Sequence, residues 1–324
     1  MKRTLLFMAT FAASVSYSQN CTELFISEYV EGWSNNKALE IYNPTNASID
    51  LSQYIVVRYS NGSTSATAAN AVQLSGTVAA HDVFVAVLEK LDPNGTGQEA
   101  PIWDSLQVRA DGYFCPDYNT SDAFYWNGND AVVLAKGTIG NINGAVLVDI
   151  FGKIGENPGN GSDPLEGWTV NFPYVQAGVG VTVDHSLIRK ANILKGEVNP
   201  TISFFNPLGE YDSIPAVVDI AGTLYGNWFS LGEHVCDCNP LAVKEVSQAK
   251  VAIFPNPSNG EFFVNNAEEF TTITVVNSLG QVVREISNNH KAVLSFDLTG
   301  RRGVYFVKLT DQFGETVTKR VIVK

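Results

Sequence analysis

Leu24-Phe25-Ile26-Ser27-Glu28-Tyr29-Val30-Glu31-Gly32, followed by Asn36-Lys37-Ala38-Leu39-Glu40-Ile41-Tyr42-Asn43-Pro44-Thr45, is the stretch on which the fold turns. Two short apolar runs, rich in aromatic and β-branched residues, are closed by Gly, Asn or Pro, as paired strands and their turns are. Neither run has the i, i+3, i+4, i+7 spacing of an amphipathic helix. The same pattern recurs at Tyr54–Tyr59, Val83–Leu88, Ala131–Leu134, Ala145–Phe151, Val179–Val183 and Ser186–Arg189. Asn61-Gly62, Asn127-Gly128, Asn143-Gly144 and Asn160-Gly161 punctuate it. Asn and Gly accept positive φ cheaply, so these dipeptides mark turns. Many short strands with frequent turns predict an all-β sandwich or barrel.

Outward from this stretch, the N-terminus sets the compartment. Lys2 and Arg3 precede an apolar run from Leu5 to Val15, and Ser16-Tyr17-Ser18 supplies small residues before Gln19. This predicts a signal peptide over 1–18, cut between Ser18 and Gln19. The run is too short to cross a ~30 Å hydrocarbon core, and no later segment is apolar enough to do so. Ser18-Gln19-Asn20 before Cys21 does not fit a lipoprotein box. Hydrophobic residues make up 45% of the chain, enough for a sizeable core in one large or two medium domains.

Charge divides the remainder. Residues 19–238 hold 9 Lys and Arg against 25 Asp and Glu, a net −16, whereas 239–324 hold 10 against 8, a net +2. An acidic body followed by a near-neutral tail implies two modules. A body of that charge, without a basic stripe, argues against direct nucleic-acid binding. It suits solubility, or divalent cations such as Ca²⁺. Cys21, Cys115, Cys236 and Cys238 follow the signal, and export favours disulfides. Four cysteines allow three pairings; a bridge from Cys21 to Cys236 or Cys238 would close the body end to end. The single residue between Cys236 and Cys238 is narrower than the usual zinc-ligand spacing.

Residues 239–250 lack aromatics and read as a linker. From 251 the strand pattern resumes as Val251–Phe254, Glu261–Val264, Ile273–Val276, Val282–Ile286, Ala292–Leu298, Val304–Leu309 and Val317–Val323. Seven short strands predict a small β-sandwich. Phe254-Pro255-Asn256-Pro257-Ser258-Asn259-Gly260 opens it. Ser278-Leu279-Gly280-Gln281-Val282-Val283 and Asp297-Leu298 follow, then Gly303-Val304-Tyr305-Phe306-Val307, and Lys319-Arg320-Val321-Ile322-Val323-Lys324 closes it. Over 251–324 this text resembles the C-terminal sorting domain of type IX secretion substrates. The signature positions are Pro255, Asn256, Pro257, Gly260, Leu279, Gly280, Gln281, Gly303, Tyr305 and Lys324. The resemblance implies export to the periplasm, recognition by the outer-membrane translocon and tail removal by a sortase-like peptidase. The body is then released or attached to the cell surface.

The body, over 19–238, resembles a bacterial lamin-tail-like domain. The opening stretch carries most of the likeness, with Ile49-Asp50-Leu51-Ser52-Gln53-Tyr54, Asp130–Leu134, Val148–Gly152, Ser186–Lys190 and Trp228–His234 behind it. The resemblance implies an immunoglobulin-like β-sandwich, long and with insertions, and implies no catalysis.

Glu28 and Glu40 fall in adjacent predicted strands among apolar neighbours, so each needs partners if buried. They read either as a paired acid and base, as in glycosidases, or as carboxylates holding backbone amides of a neighbouring loop, with Asn43 as a further partner. Asp184-His185-Ser186 imitates a triad, but strand neighbours point to opposite faces and cannot converge. No nucleophile elbow, zinc helix, phosphate loop or dinucleotide fingerprint occurs. Asp111, Asp117, Asp122 and Asp130 lie in a Gly- and Asn-rich stretch and are candidate Ca²⁺ ligands, whereas Asp92-Pro93-Asn94-Gly95 lacks the full EF-hand pattern. Two aromatic groups, Tyr113, Phe114, Tyr118, Phe124, Tyr125 and Trp126, then Trp168, Phe172 and Tyr174, suit either sugar stacking or a sandwich core.

No catalytic residue is assigned. The sequence predicts a secreted or surface-attached, non-enzymatic binding or scaffolding protein with an extracellular polymer or glycan as candidate ligand. The alternative is a secreted hydrolase with a carboxylate site in 111–130, and a third reading is a passive surface-layer component.

Overall fold

The computed structural model describes residues 20–159, 167–174, 180–220, 222–238, 251–267, 270–288, 291, 293–311 and 316–324. The signal segment, including Ser18 and Gln19, and the 239–250 linker lie outside them. Two all-β units follow one another, as the strand pattern predicts.

The body is built on a six-stranded sheet ordered β12 (Tyr211–Pro215), β11 (His185–Arg189), β1 (Phe25–Glu31), β2 (Lys37–Tyr42), β7 (Val83–Leu88) and β8 (Gly112–Phe114). All its ladders are antiparallel except the last, β7 with β8. A second sheet, β10 (Val146–Phe151), β9 (Ala131–Lys136), β4 (Tyr54–Tyr59) and β5 (Ala71–Gln73), belongs to the same core. Ile26, Tyr29, Leu39, Ile41, Ala86 and Leu187 from the first sheet pack with Tyr54, Val56, Leu134 and Phe151 from the second. Small pairs β3 (Ile49–Asp50) with β6 (Thr77–Val78), and β13 (Val217–Ile220) with β14 (Thr223–Gly226), complete the body. The 180–183 part of the predicted run 179–183 is not a strand: Thr182 there accepts from Trp168 N and donates to Gly128 O.

Both central strands are buried at every position, so the first sheet is covered on both faces. Val30, Ala38, Val85 and Val87 form a separate cluster with Ile102, Leu106, Trp228 and Leu231. The covering layer therefore comes from the segment around helix α1 (Asp104–Gln107) and from the chain after β14. The Cys21–Cys238 disulfide, with Cα atoms 5.5 Å apart, ties the end of that layer to the start of the body across 217 residues. Cys115 and Cys236 are free, buried thiols, and burial pushes both upward in pKa.

The tail has two sheets around its own core: β15 (Ala252–Phe254), β16 (Glu261–Asn265) and β19 (Leu294–Asp297), then β18 (Val282–Ser287), β17 (Phe270–Asn277), β20 (Gly303–Asp311) and β21 (Thr316–Val323). Phe262, Ile273, Val275, Phe296, Val307 and Val321 lie in that core.

Candidate functional site

The antiparallel register of β1 and β2 sets Glu28 directly opposite Glu40. Directly opposed strand residues share a face, here the one beneath the covering layer. Both side chains are almost wholly buried. Glu40 accepts from Ser27 Oγ at 2.6 Å and from the Gly232 backbone N–H at 2.7 Å. Glu28 Oε1 accepts from Ser186 Oγ on β11 and from Ser230 Oγ at 2.9 Å. Glu28 Oε2 has no hydrogen-bond partner. The two carboxylates thus clasp the 230–232 loop onto the sheet from opposite sides of one ladder.

Burial in a low-dielectric layer disfavours the ionised carboxylate. It pushes Glu28 up to about 7 against the pull of the Ser186 and Ser230 hydroxyls and of Arg109. Glu40 is raised well above the ordinary range, first by burial and then by the neighbouring Glu28 charge. Arg109 donates to Leu231 O at 3.0 Å and lies 5.8 Å from the Phe229 ring centroid. Its charge acts on Glu233, Glu28 and Glu40. His234, edge-on to the rings of Phe25 and Tyr42, is lowered to about 3 by burial and by the Arg189 charge. A carboxyl pair in this setting binds protons more tightly than free carboxyls do, and it positions a loop. Asn43 is not its partner: that side chain donates to Ala47 O, Val78 O and Ala79 O and ties down a different turn.

Other acidic groups of the body serve as internal anchors too. Asp149 on β10 pairs with both terminal nitrogens of Arg189 on β11 and also accepts from Ile26 N and Glu197 N. Glu210 takes the remaining reach of Arg189 at 2.9 Å. Glu31 pairs with Lys37, both buried, and accepts from Asp184 N.

The four candidate calcium ligands do not converge. Asp111 accepts from Val85 N at 2.9 Å. Asp117 caps its own exposed turn through Asn119 N and Thr120 Oγ1. Asp122 and Asp130 both face Arg58, at 3.7 and 2.8 Å, so a guanidinium stands between them. No group of three or more His, Cys, Asp or Glu able to hold a metal occurs among the described residues. Among the aromatics, Phe114, Phe124, Trp126 and Trp168 are core. Tyr118 packs edge-on against Tyr125, and Phe172, 53% exposed, against Tyr174 and Phe204. His185 contacts Val183 O while Ser186 turns to Glu28, so the triad-like tripeptide is split.

In the tail, the signature residues divide into two kinds. Asn256 donates to Arg320 O and accepts from Ile322 N, both at 2.9 Å, stitching the opening turn (Pro255, Asn256, Pro257) to the last strand. Ser258 N donates to Ile322 O, and Lys324 N donates back to Ser258 O. Gly260 has φ +123°, and a Cβ there would stand 2.5 Å from Thr299 backbone atoms. Tyr305 belongs to the core. These residues build the domain, whereas Leu279 is displayed. Asn277 Oδ1 accepts from both Leu279 N and Gln281 N at 3.0 Å, its Nδ2 donates to Gln281 Oε1, and Gly280 takes φ +79°. The turn is rigid from within, and Leu279 at its tip is 81% exposed. Gly303, at φ +138°, enters the aromatic strand, where a Cβ would reach only the Tyr305 ring, at 4.0 Å.

Between the two units lies a cleft of about 730 Å³, whose walls include Arg109, Lys190, Asp212, Phe229 and Glu233 of the body and Arg320 of the tail. Sequence reasoning missed Arg109, Phe229 and the 230–232 loop. The signal available was indirect: two glutamates inside otherwise apolar strands required partners from elsewhere.

The family model described as Lamin Tail Domain matches residues 18–152. The one described as Secretion system C-terminal sorting domain matches 252–324. Among solved structures, the chain is similar to PorZ, an essential bacterial surface component of the type-IX secretion system of Porphyromonas gingivalis. That similarity is 14% identity over 61% of this chain and 29% of PorZ, with a TM-score of 0.22. The chain thus spans about 29% of the length of that protein. No curated protein matches it.

Proposed function

Because the chain joins a lamin tail domain to a type IX sorting domain, a pairing that marks it for secretion or the cell surface, we propose that its body is a non-enzymatic binding or scaffolding module. The observation that carries this reading is the use to which the body's converging carboxylates are put. Glu28 and Glu40 are buried and engaged by Ser27, Ser186, Ser230 and Gly232, so they fix a surface loop. The acids of the 111–130 insertion, where a hydrolase would carry its site, are dispersed and engaged by Val85, Arg58 and local turn amides.

The tail then acts as the address. Its Leu279 turn is a preformed knob for the export machinery, and the tail is removed at the outer membrane by a sortase-like peptidase. The body, released or attached, presents its surface to an extracellular polymer or glycan. Calcium is an optional factor rather than a structural requirement.

The test is a glycan and polymer array probed with exported, tail-free protein in calcium and in chelator. A specific hit in either condition supports a binding module. Silence in both, with turnover of a polysaccharide or phosphoester substrate, would overturn the reading in favour of the hydrolase. Silence in both without turnover, combined with self-association, would replace it with a passive surface-layer role.

A further inference from the structure

In the three-stranded sheet of the tail, side chains alternate between faces as strand geometry requires. Ile253 and Phe262 enter the tail core, while Phe254 and Phe263, which face each other across β15 and β16, belong to no part of it. Two large aromatics on the outer face of a small sheet call for a cover. The body supplies one. Phe254 is fully buried, with its ring stacked on Phe229 at 5.0 Å and 13°. Tyr225, at the end of β14, lies 5.5 Å from Phe254 and 5.7 Å from Phe263. The signs of the two units are complementary, −16 over 19–238 against +2 over 239–324.

We propose that Tyr225 and Phe229 form a docking surface on the body for the β15–β16 hairpin of its own sorting tail, and that this seat exists only when the body is folded. Tyr225 is delivered by the β13–β14 hairpin. Phe229 precedes the loop that Glu28 and Glu40 clasp, and Arg109 ties the same loop through Leu231 O. None of these positions is fixed until strands far apart in sequence have assembled: Ser230 is 202 residues from Glu28, and Gly232 is 192 from Glu40. Docking therefore couples the address to its cargo. Phe254 directly precedes Pro255-Asn256-Pro257, so the opening turn of the tail is held against the body, while the Leu279 knob stays exposed. The coupling holds whatever ligand the body takes.

The experiment is amide ¹⁵N relaxation on the full chain without its signal segment. Docking predicts one rotational correlation time for body and tail amides. A Tyr225→Ser/Phe229→Ser variant should leave both sets of resonances folded but shorten the tail's correlation time several-fold. Phe263→Ser, from the tail side, should shorten it in the same direction and keeps the test open if the body variant fails to fold. A wild-type tail that already tumbles independently of the body would overturn the proposal. So would folded variants of both kinds that still tumble as one unit.

Discussion

Replacing Glu28 with glutamine tests the buried carboxyl pair most directly. In the folded chain Glu28 is raised to about 7 from an ordinary 4.5, so the folded state binds its proton more tightly than the unfolded state does. Below pH 4.5 both states are protonated and the group costs nothing. As pH rises from 4.5 to about 7 the unfolded chain ionises freely and the folded chain cannot, so stability falls; above about 7 the loss is complete and flat. At ~1.4 kcal/mol per unit, the full loss is roughly 3 kcal/mol. Glutamine keeps an acceptor for the Ser186 and Ser230 hydroxyls and never ionises. The variant should therefore gain stability over wild type progressively between pH 5 and 7.5, with a plateau above.

The assay is denaturant unfolding followed by tryptophan fluorescence. All five tryptophans, Trp33, Trp103, Trp126, Trp168 and Trp228, lie in the body, so the signal does not report the tail. The relevant quantity is the variant-minus-wild-type difference at each pH, which removes contributions common to both proteins. His234 supplies one: its folded pKa is lowered to about 3, so the unfolded chain takes up that proton first and stability falls as pH drops below 6.5. A flat difference curve from pH 5 to 8 would refute the account of Glu28. A difference that grows towards acid would reverse its sign.

Cys238→Ser opens a loop of 217 residues and should cost the body about 3–5 kcal/mol, seen as a lower denaturation midpoint; equal midpoints for the oxidised and reduced wild type would contradict it. Gly260→Ala puts a Cβ 2.5 Å from the Thr299 backbone at φ +123° and should destabilise the tail by roughly 2 kcal/mol or more. Limited proteolysis should then digest the tail and spare the body, and a tail as resistant as wild type would count against the close approach. Leu279→Ser removes an exposed side chain and should change stability by no more than ~0.5 kcal/mol, yet secretion to the medium should drop sharply; undiminished export would show that the knob is not read.

Much of this was legible in the opening stretch. Apolar runs closed by Asn-Pro and Gly gave the strand pairs, and the tail's seven strands fall where its turns predict them, because turn chemistry is local. What escaped is long-range. The reading of Glu28 and Glu40 as carboxylates that hold a neighbouring loop could not name the loop, because the groups concerned sit on β11 and on a segment 192 and 202 residues away. The dispersal of the four candidate calcium ligands was hidden for a similar reason: Arg58, which separates Asp122 from Asp130, is 72 residues before Asp130 and leaves no mark on the acidic stretch itself. Phe254 and Phe263 did leave a mark. Ile253-Phe254 and Phe262-Phe263 are apolar on both faces of their strands, which in a small sandwich implies a second cover.

By its composition, a body carrying 25 acidic residues against 9 basic ones is expected to keep its carboxylates in water. Instead it buries several where distant segments meet. Buried charges are poor sources of stability, because desolvation offsets most of what pairing returns. Their effect is selective. An apolar loop could cover the outer face of the six-stranded sheet in many registers, since hydrophobic contact is non-directional. Hydrogen bonds from Ser230 and Gly232 to two opposed carboxylates admit few arrangements. Asp149 imposes the same kind of constraint where β10 meets Arg189 of β11 and the backbone of β1. The loop so fixed carries Phe229, the ring on which Phe254 of the tail stacks. The acidic clasp thus determines the shape of the surface that meets the tail, and the free energy it costs near neutral pH is the physical trace of that specificity.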